Sequence, residues 1–168
     1  ADRPQITLKD LNEMVGRSRE DALFELTDFF GKRQLGKTLI TLTHLLENGV
    51  HGLAVLATMR NYIRKLLIFK SMQLLPAPVY HKGMNAKSFQ DNYLPQLKDQ
   101  SDWQEMLKGH PYAIYMSFKK ASEFKISTLK SWLKEILLAE FRLKGSGFTD
   151  QLVLEQLIIS LLKKPTGK

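Results

Sequence analysis

The spacing of apolar residues along the chain is that of α-helices, most clearly in the stretch 127–147. Its large apolar residues recur at i, i+3, i+4, i+7, i+8 and i+12, which places them on one helical face. They are Leu129, Trp132, Leu133, Ile136, Leu137 and Phe141. Ser127 is a suitable N-cap, and Gly145, which follows Arg142 and Lys144, suits the C-terminal end. Because so wide an apolar face must be covered by other helices, this stretch predicts a helical bundle.

The same periodicity predicts helices along most of the chain. A short helix at 6–15 has Thr7 and Asp10 at the spacing of a capping box and ends at Gly16. Further helices are predicted at 18–30, 35–48 and 50–75, after Gly109, and from Thr149 onward.

The longest periodic segment, 50–75, is apolar on two faces, which predicts a position inside the bundle. Pro76 and Pro78 end it, because proline lacks an N–H and clashes with the preceding turn. Periodicity is weakest at 76–100, where we expect a helical turn or two before Pro95, and a short helix is predicted at 101–108. No segment shows sustained period-two alternation. The sequence therefore predicts an all-α fold, a compact bundle of about seven or eight helices.

Length and composition restrict the class of protein. A chain of 168 residues, 43% of them hydrophobic, suits one soluble domain, and no apolar run approaches the roughly 20 residues of a membrane span. The absence of cysteine excludes disulfides and thiolate metal sites and fits a cytoplasmic protein. Since the chain opens abruptly and without Met, we expect a fragment of a longer protein.

The chain is moderately basic, with 25 Lys and Arg against 17 Asp and Glu and a net charge of +8. Two interpretations stay open, a helical module that contacts DNA or a solvated surface rich in lysine, and the scattered positions favour the second. Arg60 and Arg64 on the long helix are accordingly either surface charges or contacts with a partner.

Residues 31–38, GKRQLGKT, satisfy the phosphate-loop pattern G-x-x-x-x-G-K-[ST], with Gly31, Gly36, Lys37 and Thr38 at the defining positions. A genuine phosphate loop leaves a buried parallel strand, but the preceding residues have helical spacing. The chain also lacks the alternating strands and helices of a parallel sheet. We interpret the match as a decoy, and a nucleotide-binding domain that uses Lys37 and Thr38 remains the enzymatic alternative.

No other group of residues indicates catalysis or a cofactor. The four histidines show no spacing typical of metal ligands, and no nucleophile stands beside a base. We therefore expect no catalytic residue, no cofactor and no metal.

Several segments, in order, resemble those of one known family. Phe24, Leu26 and Asp28 match an F-x-L-x-D-like helix core, which precedes the leucine-rich turns at 39–46. A loop with Gly49 leads to the long helix that carries the basic residues. These features are similar to the delta subunit of the bacterial DNA polymerase III clamp loader.

Two later segments extend the resemblance. The sequence HPYAIYMSFKKASEF at 110–124 is similar to the family's His-Pro-aromatic helix. Its closing motif matches Ala139, Leu143, Lys144 and Gly145, with Glu140 where Asp is usual. The segment 76–108 departs from the family in being longer and more irregular.

The resemblance implies the role and the partners of the chain. Residues 1–16 would be the end of a small lid domain, and residues 17–168 an all-helical C-terminal collar domain that carries no ATPase activity. The collar would bind the gamma/tau and delta-prime subunits, and the sliding clamp and DNA would be reached only through the full loader. This loader places the clamp on DNA during replication in the cytoplasm. The candidate interface residues are Arg60, Arg64 and Lys144.

Overall fold

The computed structural model describes residues 7–100, 102–145 and 147–163, and its regular secondary structure there is entirely helical. The α-helices are α1 (Leu8–Gly31), α2 (Leu35–Glu47), α3 (Gly52–Met72), α4 (Ala86–Ser88), α5 (Leu94–Gln100), α6 (Pro111–Ala121), α7 (Ile126–Gly145) and α8 (Asp150–Lys163). A π-helical turn at Phe89–Tyr93 joins α4 to α5, and a 3-10 helix spans Gln104–Leu107. The predicted all-α fold of seven or eight helices is confirmed for this part of the chain.

Helix α1 is longer than its sequence pattern predicts. The capping box is present as predicted, since the Asp10 N–H donates to Thr7 Oγ1 and the Thr7 N–H donates to Asp10 Oδ2. Thr7 Oγ1 also donates to Asp10 Oδ2, and this hydrogen bond, together with the one from the Thr7 N–H, lowers the pKa of Asp10. The predicted break at Gly16 is wrong, because the helix continues through this residue to Gly31. A glycine inside a helix costs about 1 kcal/mol relative to alanine but does not by itself end the helix.

The chain forms two compact units. The first contains the described residues up to Met59 and from Glu135 onward, and the second contains Arg60–Lys134. The first unit is built on the hairpin of α1 and α2, with α8 packed on α2. Its buried core includes Leu26, Phe30, Leu42, Leu45, Val55, Ile136, Leu154 and Ile158.

The second unit has an aromatic core. Phe118 of α6 stacks on Phe69 of α3 with 4.4 Å between the ring centroids, and Phe89 and Tyr93 lie within 6 Å of the same ring. Phe69, Phe89 and Phe118 are fully buried. Aromatic pairs in this geometry contribute roughly 0.5–1.5 kcal/mol beyond the area that they bury.

The segment before Pro95 is more regular than predicted. Helical structure runs from Ala86 through Pro95 to Gln100, so the prediction that it stops at the proline is wrong. The Leu94 N–H donates to the Phe89 carbonyl in the wider π register. A wider turn just before the proline relieves the clash that its ring makes in a regular helix.

The buried hydroxyl of Tyr93 gives a stability prediction. Among the described residues, nothing accepts or donates a hydrogen bond at Tyr93 Oη, and the side chain is buried. We expect Tyr93→Phe to raise the free energy of unfolding at neutral pH by about 1 kcal/mol, because it removes an unsatisfied polar group. Tyr115→Phe is the matched control and should lower stability, because the hydroxyl of the buried Tyr115 side chain donates to the Met84 carbonyl at 3.1 Å.

Alkaline denaturation tests the same hydroxyl. Burial raises the pKa of Tyr93 above the usual value of 10.0, and Tyr80 adds to the shift. The unfolded chain therefore releases this proton first, and stability falls as the pH rises above 10. Tyr93→Phe should flatten that decline in urea titrations at successive pH values. An unchanged pH dependence together with a destabilised variant would show that the hydroxyl is satisfied in solution.

Candidate interaction surfaces

The C-terminal half of α7 presents apolar side chains to solvent. Leu137 is 53% exposed, Leu138 49% and Phe141 70%, whereas Ile136 and Ala139 on the opposite side are buried. We call Leu137, Leu138 and Phe141 the α7 apolar face. Large apolar side chains grouped on one helix surface are typical of a binding site for another protein.

This exposure corrects the single inward stripe that the sequence predicts for α7. The buried row is Leu129, Trp132, Ile136 and Ala139. Residues four apart on a helix drift by about 40° per step, since each residue turns by about 100°. The row that begins at the half-buried Leu133 therefore rotates outward, and Leu137 and Phe141 become exposed. Ser127 lies within the first turn rather than at the N-cap, because α7 begins at Ile126.

Polar residues accompany the α7 apolar face. Lys144 Nζ lies 2.7 Å from Glu140 Oε1, an i,i+4 ion pair on the last two turns. Both residues belong to the closing motif of the resemblance. Ion pairs at this spacing on a helix contribute about 0.3–0.5 kcal/mol, so this pair adds little to stability.

The other candidate residues, Arg60 and Arg64, lie on α3 in the second unit. They are four residues apart and exposed, which places both on one side of the helix. Lys144 belongs to the first unit.

The residues of the phosphate-loop pattern form the turn between α1 and α2. Gly31 is the last residue of α1, Gly36 and Lys37 lie in the first turn of α2, and Arg33 between them has a φ of 58°. The Thr38 hydroxyl is buried and donates to the Gln34 carbonyl at 2.8 Å. A phosphate loop instead keeps this hydroxyl free for magnesium and follows a strand.

A groove of about 650 Å³ runs between α1 and α2 in the first unit. Its apolar wall includes Phe29, Ile40 and Val50, and its polar rim includes Arg19 and Glu25. Lys37 Nζ lies 5.3 Å from the centroid of the Phe29 ring, a cation–π distance. The groove is a second candidate surface of this unit, after the α7 apolar face.

The described residues contain no group of three or more His, Asp or Glu side chains placed to hold a metal ion. Nor is any helix among them both long and apolar enough to cross a membrane.

Comparisons with known proteins agree on one family. The family model for the DNA polymerase III delta subunit, C-terminal domain, matches residues 90–161. The DNA polymerase III subunit delta of Bacillus subtilis (strain 168) is 24% identical over 163 residues, which are 97% of this chain and 41% of that protein. The solved structure of the Bacillus subtilis DNA clamp loader delta protein (YqeN) superposes with a TM-score of 0.62 at 24% identity, over 98% of this chain and 42% of that chain.

The chain thus spans about two fifths of the length of these relatives. The structural likeness confirms the helical fold, and the family model covers residues 90–134 of the second unit and all of α7, which carries the α7 apolar face. The resemblance found in the sequence is confirmed: the chain is similar to a DNA polymerase III subunit delta, and residues 90–161 match the model of the C-terminal domain of the DNA polymerase III delta subunit.

Proposed function

We propose that the chain is the oligomerisation domain of a clamp-loader delta subunit and acts by binding the corresponding domains of other loader subunits. The observation that carries the proposal is the exposed α7 apolar face, which lies inside the matched residues 90–161. A partner that covers this face would gain about 1 to 2 kcal/mol for each large apolar side chain removed from water, since each is already partly buried.

The partners that we propose are the gamma/tau and delta-prime subunits, because the relatives are named as subunits of DNA polymerase III and its clamp loader. The sliding clamp and DNA would be reached through the assembled loader, in the cytoplasm. Arg60, Arg64 and Lys144 are proposed to contribute charge to the contacts. The chain itself would catalyse no reaction.

We further propose the domain limits implied by the resemblance, 1–16 as the end of a lid domain and 17–168 as the collar. Residues 1–6 lie outside the described part of the chain. The boundary falls within α1, so a single helix would connect the two domains. Residues 31–38 would serve as a helix–helix turn without nucleotide, since the Thr38 hydroxyl already binds the Gln34 carbonyl.

The α7 apolar face is tested by co-purification of the chain with tagged gamma/tau and delta-prime. We expect Leu137→Ser with Phe141→Ser to weaken retention about tenfold or more, a change of roughly 1.4 kcal/mol. Circular dichroism should be unchanged, because both side chains are exposed.

The matched control is Ile40→Ser, which changes an apolar side chain of the same unit that is 59% exposed on α2. It should leave retention intact. If the α7 variant binds like the parent chain, the α7 apolar face is not the interface. If Ile40→Ser alone abolishes retention, the interface lies at the groove between α1 and α2.

A further inference from the structure

The net charge of the chain is carried by the second unit. Residues 60–134 contain thirteen Lys and Arg against five Asp and Glu, whereas the rest of the chain contains twelve of each. The imbalance is sharpest at 48–90, a stretch with six basic residues and no carboxylate side chain. Helix α3 lies wholly within this stretch.

The end of α3 combines these basic residues with exposed aliphatic ones. Leu74 is 65% exposed and Val79 56%, and Leu75 beside them is also exposed. Lys70 lies one turn before Leu74, and the chain then returns so that the charge of Lys82 acts on Lys70. We call Lys70, Leu74, Leu75, Val79 and Lys82 the basic–aliphatic patch.

The backbone beneath the patch is held by the core of the second unit. Gln73 Nε2 donates to the Phe118 carbonyl at 2.6 Å, and the Leu75 N–H donates to the Met72 carbonyl at 3.1 Å. The Tyr80 ring lies 5.5 Å from that of Tyr93 and 6.0 Å from that of Phe118. A fixed backbone reduces the entropy that a ligand must overcome when it orders the surface.

Lys70 and Lys82 lack a counterion in the described part of the chain, since no carboxylate there pairs with either lysine. Partial burial, together with the charge of Lys82, lowers the pKa of Lys70. A negatively charged ligand at this patch would offset the repulsion between the two lysines, which makes the patch complementary to negative charge.

We propose that the basic–aliphatic patch binds a short acidic peptide segment of a partner protein, whose carboxylates meet Lys70 and Lys82 and whose aliphatic side chains cover Leu74, Leu75 and Val79. The aliphatic residues favour a peptide over a nucleic acid. Single-stranded nucleic acid binds best where exposed aromatic side chains stack on bases, and the aromatic residue of this segment, Tyr80, packs inward against Tyr93 and Phe118.

The basic–aliphatic patch shares no residue with the α7 apolar face, which belongs to the other unit. It would let the chain bind an acidic partner without using the surface proposed for assembly.

Fluorescence anisotropy of the 168-residue chain tests the proposal with a labelled peptide of about 12 residues that alternates Glu and Leu. We expect saturable binding that Lys70→Glu with Lys82→Glu weakens about tenfold or more, and that Leu74→Ser with Val79→Ser also weakens. Lys70→Gln with Lys82→Gln should have an intermediate effect.

The control is Lys119→Glu with Lys130→Glu, which changes two exposed lysines of the same unit and gives the same net charge as the Lys70→Glu, Lys82→Glu variant. The control should bind the peptide like the parent chain.

Several results would overturn the proposal. Absence of binding would contradict the proposal directly. Equal loss of binding in the control variant would show that only non-specific attraction between charges holds the peptide. A peptide of Glu alone that binds as tightly as the alternating one would remove the role of the aliphatic residues. A single-stranded oligonucleotide of similar length is the last comparison. If it binds more tightly than the peptide, and if the same substitutions abolish its binding, the patch is a nucleic-acid surface.

Discussion

Phe118→Ala is expected to lower the free energy of unfolding of the second unit by about 3–5 kcal/mol. Phe118 is fully buried and stacks on Phe69 at 4.4 Å, and the rings of Phe89 and Tyr93 lie at 5.1 and 5.8 Å. Truncation to alanine leaves a cavity among the rings of Phe69, Phe89 and Tyr93. The cost of this cavity adds to the cost of the lost apolar burial. The loss is a large fraction of the roughly 5–15 kcal/mol that stabilises a typical domain.

The measurement is urea denaturation followed by far-UV circular dichroism, with tyrosine ellipticity in the near-UV reporting on the aromatic core. Phe24→Ala is the matched control, since it removes the same side chain from a site that is 74% exposed on α1. It should change stability by less than about 0.5 kcal/mol. Equal losses in the two variants would show that the aromatic cluster does not hold the second unit together.

Features set by residues close in sequence could be predicted from the sequence. The capping box of Thr7 and Asp10 is present because both partners lie within one helical turn, and the geometry follows from the spacing. The all-α fold could be predicted for the same reason, since an apolar period near 3.6 excludes the alternation of a strand.

Features that depend on packing were predicted wrongly. Gly16 was expected to end a helix and Pro95 to stop another, yet helical structure continues through both. A glycine inside a helix costs about 1 kcal/mol and a proline about 3 kcal/mol. At Pro95 the wider π turn and the burial of Leu94 and Leu97 offset this cost. The pattern that puts Leu137 and Phe141 inward neglects the drift of about 40° at each i,i+4 step, which turns their row toward solvent.

The candidate surfaces could be predicted only in part. The exposure of Arg60 and Arg64 agrees with either interpretation of their charge, and that of Phe141 could have been inferred from the drift of its row along α7. The segregation of charge was present in the sequence, but its meaning depends on the boundaries of the units at Arg60 and Lys134, which arise from tertiary packing.

Contacts between distant residues gave no signal in the sequence, and Gly52 shows why they matter. Its N–H begins α3 and donates to Asp150 Oδ2 at 2.9 Å, across 98 positions of the chain. A Cβ added at Gly52 would lie 2.5 Å from that oxygen and 2.7 Å from Asp150 Cγ. We expect Gly52→Ala to lower the free energy of unfolding by about 2 kcal/mol, because the carboxylate must move away and the N–H at the start of α3 loses its acceptor.

A double-mutant cycle separates this contact from the general effect of alanine in a helix. Asp150→Ala alone should cost about 1 kcal/mol, as removal of a capping acceptor does. In that background Gly52→Ala no longer meets a carboxylate, so the double variant should be more stable than the sum of the single effects predicts, by about 1 kcal/mol. Gly36→Ala is the control, because nothing lies within 4 Å of its added Cβ and it lies in the first turn of α2. It should raise stability by about 0.5–1 kcal/mol in thermal denaturation. Additive effects at positions 52 and 150 would mean that the carboxylate of Asp150 does not hold the start of α3 in solution.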